Sequence, residues 1–346
     1  MRGATSTNLT LAPQEIARLV SRAGVAKARL SLDVYIIKSF LGGVFIALGG
    51  LTDLIFLAGM YGLRESNPTL ASTIAGFLFP LGFVLIILTN QELCTSNMFV
   101  MPFTTFQRKT TVWDWAKNWV ITYVGNLAGC LFVAGFLAWW ADVLSEPQEK
   151  AYALSQAEGR VNVQWSVNFL RGVGCNWFVA LAFFLSLGSV EFVSKIYCIW
   201  IPIWYVKPPY KVLWHAPVHA QVFAKASIRR AFVILGYQHC IANFFLIPIG
   251  MFQGGANFGV GKYIYQSVIP VTLGNIVGGT LFGALPFWYL YGRNDGLDTG
   301  TGQPLNVEKG SPAQSMASDQ TVGGGNPATG GVWHGPYDRN NMVDAA

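Results

Sequence analysis

Histidine is the side chain whose unperturbed charge change falls closest to neutral pH, and His239 is the histidine of this chain set in an apolar run. His215 and His219 lie in a basic, proline-containing segment, and His334 lies in a polar tail. His239 belongs to the stretch QHCIANFFLIP, residues 238–248, which repeats ELCTSNMFVMP, residues 92–102. Cys94 and Cys240, Asn97 and Asn243, Phe99 and Phe245, and Pro102 and Pro248 occupy equal offsets in the two copies. Both copies interrupt long apolar runs. At membrane depth, their side chains and freed backbone groups must be satisfied by protein or by a cavity, so two such interruptions imply a lined path across a bilayer.

A charge buried unpaired in a membrane is costly, which makes His239 a candidate lining group. Thr95, in the facing interruption, is the hydroxyl expected to fix its tautomer. Glu92 is the other polar candidate, and its expected duty is structural, capping the half-helix that follows by accepting backbone N–H bonds at its positive end. Phe79 and Phe83, one turn apart, and Phe232, ahead of His239, flank the interruptions and would form apolar constrictions. No second acid/base group and no metal-type spacing accompanies His239, which leaves a membrane-embedded enzyme without support and implies neither metal nor cofactor. The five cysteines (Cys94, Cys130, Cys175, Cys198, Cys240) lie in apolar sequence and read as buried thiols.

The chain that must position these groups is 52% hydrophobic and 12% charged over 346 residues. Apolar runs of about 20 residues are what a bilayer core demands, and they predict an all-α integral membrane protein. Six spans are expected, at about 34–61, 70–89 with the Glu92 interruption and a short continuation, 112–140, 167–187, a fifth beginning near Ile196, and 264–291. The net charge of +6 does not gather on one aromatic-interleaved face, so nucleic acid is excluded as a partner. It marks topology instead: Lys and Arg are retained on the cytosolic side of short loops. The N-terminal segment and the 104–111 connection are basic, whereas the 141–166 connection is acidic, so both termini are expected in the cytosol. Residues 1–34 lack a signal-peptide core and predict a cytosolic amphipathic helix over 13–27, with Ile16, Leu19, Val20 and Ala23 on one face. The transporter domain covers 35–291, and the Gly-, Asn- and Ser-rich stretch 292–346 is expected to be a disordered cytosolic tail.

The internal repeat extends beyond the interruptions. FIAL at residues 45–48 is echoed by FVAL at 178–181, and Gly125-Asn126 with Gly129 by Gly274-Asn275 with Gly278. Three spans therefore match three spans. An odd number per half makes the second half enter from the opposite side, giving an inverted 3+3 repeat with paired broken second and fifth helices.

The motifs ELCTSN, GVGCNWFVALA, QHCIANFFLIPIG and IPVTLGNIVGG resemble, in this order, those of the formate/nitrite transporter family, in a fungal-type member, over about residues 12–292. The resemblance implies an aquaporin-like six-helix bundle assembled as a homopentamer in the lipid bilayer, with a pore in each protomer for a small anion such as nitrite or formate and often a proton. Carried over by motif, His239 resembles the central histidine and Thr95 its partner; Leu93 and Cys94 resemble loop residues of that constriction, and Asn176 and Asn275 its polar wall. Phe79, Phe83, Val179 and Phe232 resemble the apolar slits. Arg160 stands where a vestibule lysine is usual, and as an exposed cation would concentrate anions. Cys94 replaces a frequent Phe, and Gln238 a frequent Glu. Residues 205–230, YVKPPYKVLWHAPVHAQVFAKASIRR, have no family counterpart and fall inside the fifth span; they read as a translated intron or as a loop pushed into water. The expected function is transport of a small monovalent weak-acid anion across the plasma membrane, as a proton symport in the sense that the neutral acid crosses the slits. The alternative is an aquaporin-like neutral-solute channel, against which stands the absence of an Asn-Pro-Ala pair.

Overall fold

The computed structural model describes residues 10–204 and 236–293. Among these residues the chain is helical, with one isolated β-bridge between Thr10 and Ser189. The elements are α1 (Pro13–Ala28), α2 (Leu32–Gly59), α3 (Tyr61–Ser66), α4 (Pro68–Leu78), α5 (Leu81–Leu88), α6 (Cys94–Phe106), α7 (Val112–Trp140), α8 (Pro147–Val161), α9 (Trp165–Gly188), α10 (Phe192–Trp204), α11 (Cys240–Phe252) and α12 (Val260–Gly292). Phe232, the 205–230 segment and the tail from residue 294 lie outside the described residues.

Four helices, α2, α7, α9 and α12, are long and apolar enough to cross a membrane. The others on the pathway are short. α5 stops at Leu88, residues 89–93 run without helical structure, and α6 starts at Cys94 with its first residues fully buried. Helix α6 has 13 residues, which at 1.5 Å per residue is roughly 20 Å and too short to span a hydrocarbon core alone. Residues 236–239 likewise precede α11 without helical structure.

Each repeat closes on a tight helix crossing. α2 packs on α7, and α9 packs on α12. A side chain at Gly129 would collide with the Phe40 carbonyl, and one at Gly278 with the Val173 carbonyl. Small residues at these points let backbones touch, which is how helices associate where lipid is as apolar as their side chains.

The expected amphipathic segment forms α1, whose Ile16, Ala17, Val20, Ser21, Gly24 and Lys27 are buried against α6 and α9. The reading of 141–166 as a plain connection is corrected: it holds α8, which packs on α11 as α1 packs on α6. Pro-Gln-Glu opens both helices, at 13–15 and 147–149, and in each the Glu side chain reaches back to the N-cap backbone. Among the described residues, each half therefore runs from an amphipathic helix through a long helix and a set of short ones to a second long helix.

Candidate functional site

The two interruptions are held open by one asparagine each. Asn126 of α7 accepts the backbone N–H of Cys94 (2.8 Å) and donates to the carbonyls of Ser39 (2.7 Å) and Glu92 (2.9 Å). Asn275 of α12 accepts the N–H of Cys240 (2.8 Å) and donates to the carbonyls of Gly172 (2.8 Å) and Gln238 (3.0 Å). Backbone groups freed where a helix stops need such partners. Both asparagines are fully buried. Asn275 is thus a strut spending its whole amide on the backbone, which corrects its reading as pathway wall.

One residue upstream of each N-cap, the copies diverge in charge. The Glu92 carboxylate accepts Lys27 Nζ from α1 (2.7 Å) and Asn97 Nδ2 (2.8 Å), so its duty is to bind side chains, not the backbone cap expected from its position. The second copy has neutral Gln238, which donates to Asn168 Oδ1 (2.8 Å) and accepts from Asn243 Nδ2 (2.7 Å). Asn97 and Asn243 each reach back five residues to the side chain ahead of their helix.

The N-cap positions themselves are Leu93 and His239. Leu93 is fully buried. His239 Nδ1 accepts the backbone N–H of Ala242 (3.0 Å), capping α11. An N–H can only donate, so Nδ1 carries no hydrogen and the neutral imidazole holds its hydrogen on Nε2. Nε2 lies 2.8 Å from Thr95 Oγ1. The threonine oxygen accepts, and its own hydroxyl hydrogen is left to donate. Asn176 donates to the carbonyls of Thr95 (3.1 Å) and Asn275 (2.8 Å), tying α9 to both halves, while its Oδ1 is buried without a partner.

A cavity of about 740 Å³, counting its open mouth, reaches His239. Phe79, Phe83 and Val179 line it, with Asn243 and Arg160. Thr95, Leu93, Cys94, Asn176 and Asn275 are not among the lining residues; Cys94 is buried with its thiol toward the Trp119 carbonyl at 3.7 Å. Cys175, Phe178 and Tyr237 also line the cavity. Sequence reasoning missed them because an aromatic or thiol in an apolar helix carries no local mark of which face it takes. Tyr237, immediately before the repeated stretch, was the most accessible of the three to notice.

Arg160 requires a second correction. The exposed vestibule cation of the sequence reading is only 7% exposed. Its guanidinium donates to Gln156 O (3.0 Å) and Gln156 Oε1 (2.7 Å) on its own helix. Burial lowers its pKa to about 10, opposed chiefly by the Asp53 carboxylate, so it remains a cation throughout the physiological range.

Long apolar helices, two facing interruptions and a largely apolar cavity lined in part by a neutral histidine define a multi-span membrane transport protein. The chain belongs to the formate/nitrite transporter family: the family profile described as "Formate/nitrite transporter" matches residues 14–207 and 213–289. The match is interrupted at 208–212, inside the 205–230 segment. The probable formate transporter of Methanothermobacter thermautotrophicus is 34% identical over 294 residues, 81% of this chain and 96% of that one. A formate channel of Bacillus thuringiensis is 31% identical over 279 residues, 81% of this chain and 95% of that one. The fold is shared with an FNT family ion channel of known structure, with a TM-score of 0.65 at 22% identity, covering 80% of this chain and 98% of that one. A pentameric formate channel with formate bound has a TM-score of 0.58 at 22% identity, over 75% of this chain and 97% of the channel. The chain is accordingly a membrane transport protein for small anions, of a family of transporters and channels instead of enzymes.

Proposed function

We propose that this protein carries formate or nitrite across the plasma membrane, as a homopentamer with both termini in the cytosol, and that the anion crosses in protonated form. The observation that carries this reading is the neutral His239, paired with Thr95 at 2.8 Å, lining a cavity with Phe79, Phe83, Val179 and buried Arg160. A carboxylate-sized charge moved from water into low dielectric costs several kcal/mol even after relaxation, so the bare anion does not pass an aromatic constriction cheaply. Arg160 supplies the attraction that brings it in. Uptake of a proton removes the cost of the next step, with a substrate oxygen accepting from the Thr95 hydroxyl that His239 orients.

His239 is cast as an orienting group and not as the proton's source. Its Nδ1 is committed to the Ala242 N–H, and an imidazolium at the same place would lose that cap and face the positive end of α11. The proton is then drawn from solvent through the cavity. Pentameric assembly follows the formate channel whose fold this chain shares, and the exposed apolar side chains of α7 and α12, among them Val120, Val124, Leu273 and Leu281, suit lipid and neighbouring protomers.

The test is uptake into proteoliposomes of labelled formate and nitrite, with lactate and hydrosulfide alongside, under an inward proton gradient. Accumulation of formate or nitrite that collapses with the gradient is the expected result. Swelling in glycerol without anion uptake would move the protein to the aquaporin-like class.

A further inference from the structure

Two residues before His239 stands Tyr237, in the stretch 236–239 that precedes α11 without helical structure. The backbone at His239 is extended (φ −102°, ψ 117°), and in extended chain successive side chains point to opposite sides, so that residues two apart share one. The contacts follow that alternation. Gln238 turns to Asn168 and Asn243, while Tyr237 and His239, on either side of it in the chain, both line the cavity. At the equivalent offset in the first copy stands Gln91, whose amide nitrogen returns to the Thr89 carbonyl at 2.8 Å. The phenol therefore belongs only to the copy that carries the histidine.

Helix α9 makes room for this ring. A Cβ placed on Gly174 would lie 2.4 Å from Tyr237 Cζ, the carbon that bears the hydroxyl, and 2.6 Å and 2.9 Å from the two ring carbons beside it. The hydroxyl end of the ring thus rests on bare backbone. Cys175, Phe178 and Val179, next along α9, line the cavity, and the Phe178 ring lies 6.3 Å from that of Tyr237. Ile46, Phe79, Phe83 and Leu246 make much of the remaining wall apolar. Among the described residues, Tyr123 and Tyr263 spend their hydroxyls on Thr272 and on the Asn243 carbonyl, whereas the Tyr237 hydroxyl has no partner.

We propose that Tyr237 is a specificity-determining residue, whose phenolic O–H donates a hydrogen bond to an oxygen of the substrate in the cavity and so favours formate and nitrite over hydrosulfide. A substrate stripped of water between apolar walls loses hydrogen bonds, and a hydroxyl held ready there returns one of them. Oxygen accepts such a bond well, and sulfur is a weak acceptor. The phenol thereby lowers the cost of entry for one class of anion and not the other. This inference deepens the transport reading and rests on it for passage through this cavity.

The experiment compares wild type with Tyr237→Phe, which removes one oxygen and keeps the ring on Gly174. Uptake of labelled formate, nitrite and hydrosulfide by proteoliposomes is read as half-saturating concentration and maximal rate, and heat protection of the purified protein by sodium formate and by sodium hydrosulfide is read as binding. Tyr237→Phe is expected to raise the half-saturating concentrations of formate and nitrite about three- to tenfold and to leave that of hydrosulfide unchanged. An equal change for all three anions, or no change for any, overturns the proposal, because lost packing does not discriminate oxygen from sulfur. A Tyr237→Phe protein that fails to assemble makes the hydroxyl a structural group and overturns it as well. A wild type that carries none of the three overturns the transport reading, and heat protection then decides the role of Tyr237 by itself. Protection by formate must weaken in Tyr237→Phe while protection by hydrosulfide holds; formate protection that is unchanged by the substitution, or absent from wild type, overturns that role.

Discussion

Thr95 Oγ1 and His239 Nε2 meet at 2.8 Å across the two halves of the chain, 144 residues apart in sequence. The contact has a direction: the Ala242 N–H occupies Nδ1, so Nε2 donates to the hydroxyl. His239→Asn keeps a side chain suited to the N-cap while removing the Nε2 donor. The variant is expected to fold and assemble, and its formate uptake to fall about equally at every external pH, because the proton comes from solvent and only the orienting group is lost. Uptake measured across pH checks this, and a mutant that matches wild-type rates throughout removes His239 from the mechanism.

Asn275→Ala withdraws three hydrogen bonds from buried backbone groups of Gly172, Gln238 and Cys240. Each buried group left unsatisfied costs about 1–3 kcal/mol. The expected result is loss of folded protein, seen by size exclusion and thermal melting, with Asn126→Ala behaving alike. A well-folded Asn275→Ala protein that merely transports poorly would return this residue to the pathway wall.

Lys27→Met leaves Glu92 buried and unanswered except by Asn97. Removing one partner of a buried pair costs about 3–5 kcal/mol, so a marked drop in melting temperature is expected. Replacing both, as Lys27→Met with Glu92→Gln, should recover much of it. Equal destabilisation by the single and double variants would show that packing of α1, and not its charge, matters here.

Arg160→Gln is expected to raise the half-saturating anion concentration at low and at high salt alike, because a buried charge is screened far less than an exposed one. Since burial lowers Arg160 only to about 10, and a base loses its charge as pH rises through its pKa, the group stays charged below about pH 9. The variant should therefore keep the pH profile of wild type. A defect that vanishes in salt would restore the exposed vestibule cation of the sequence reading.

For the 205–230 segment, the expectation is that most messengers lack its codons. It carries Lys207, Lys211, Lys225, Arg229 and Arg230 with no acid, and about 2.5–3.5 kcal/mol for each at a helix centre bars it from lipid. Transcript sequencing decides the matter, and codons retained in most copies would sink the idea.

The sequence by itself determined the long helices, the two interruptions and the residues in them. Apolar length is a local quantity that the bilayer fixes, and a repeat with equal offsets at Cys94 and Cys240 or Asn97 and Asn243 survives translation along the chain. It also singled out His239, since an ionisable group in an apolar run is visible without knowing its neighbours. Tertiary structure decided what those groups do. Asn126 and Asn275 brace backbone 32 to 103 residues away, a partnership that leaves no mark near either residue. The same holds for Arg160, which looks exposed on an acidic connection until α8 forms and turns it inward. Composition tells whether a charge can be afforded in a membrane; only the packing of distant helices tells which opposite charge or carbonyl compensates it.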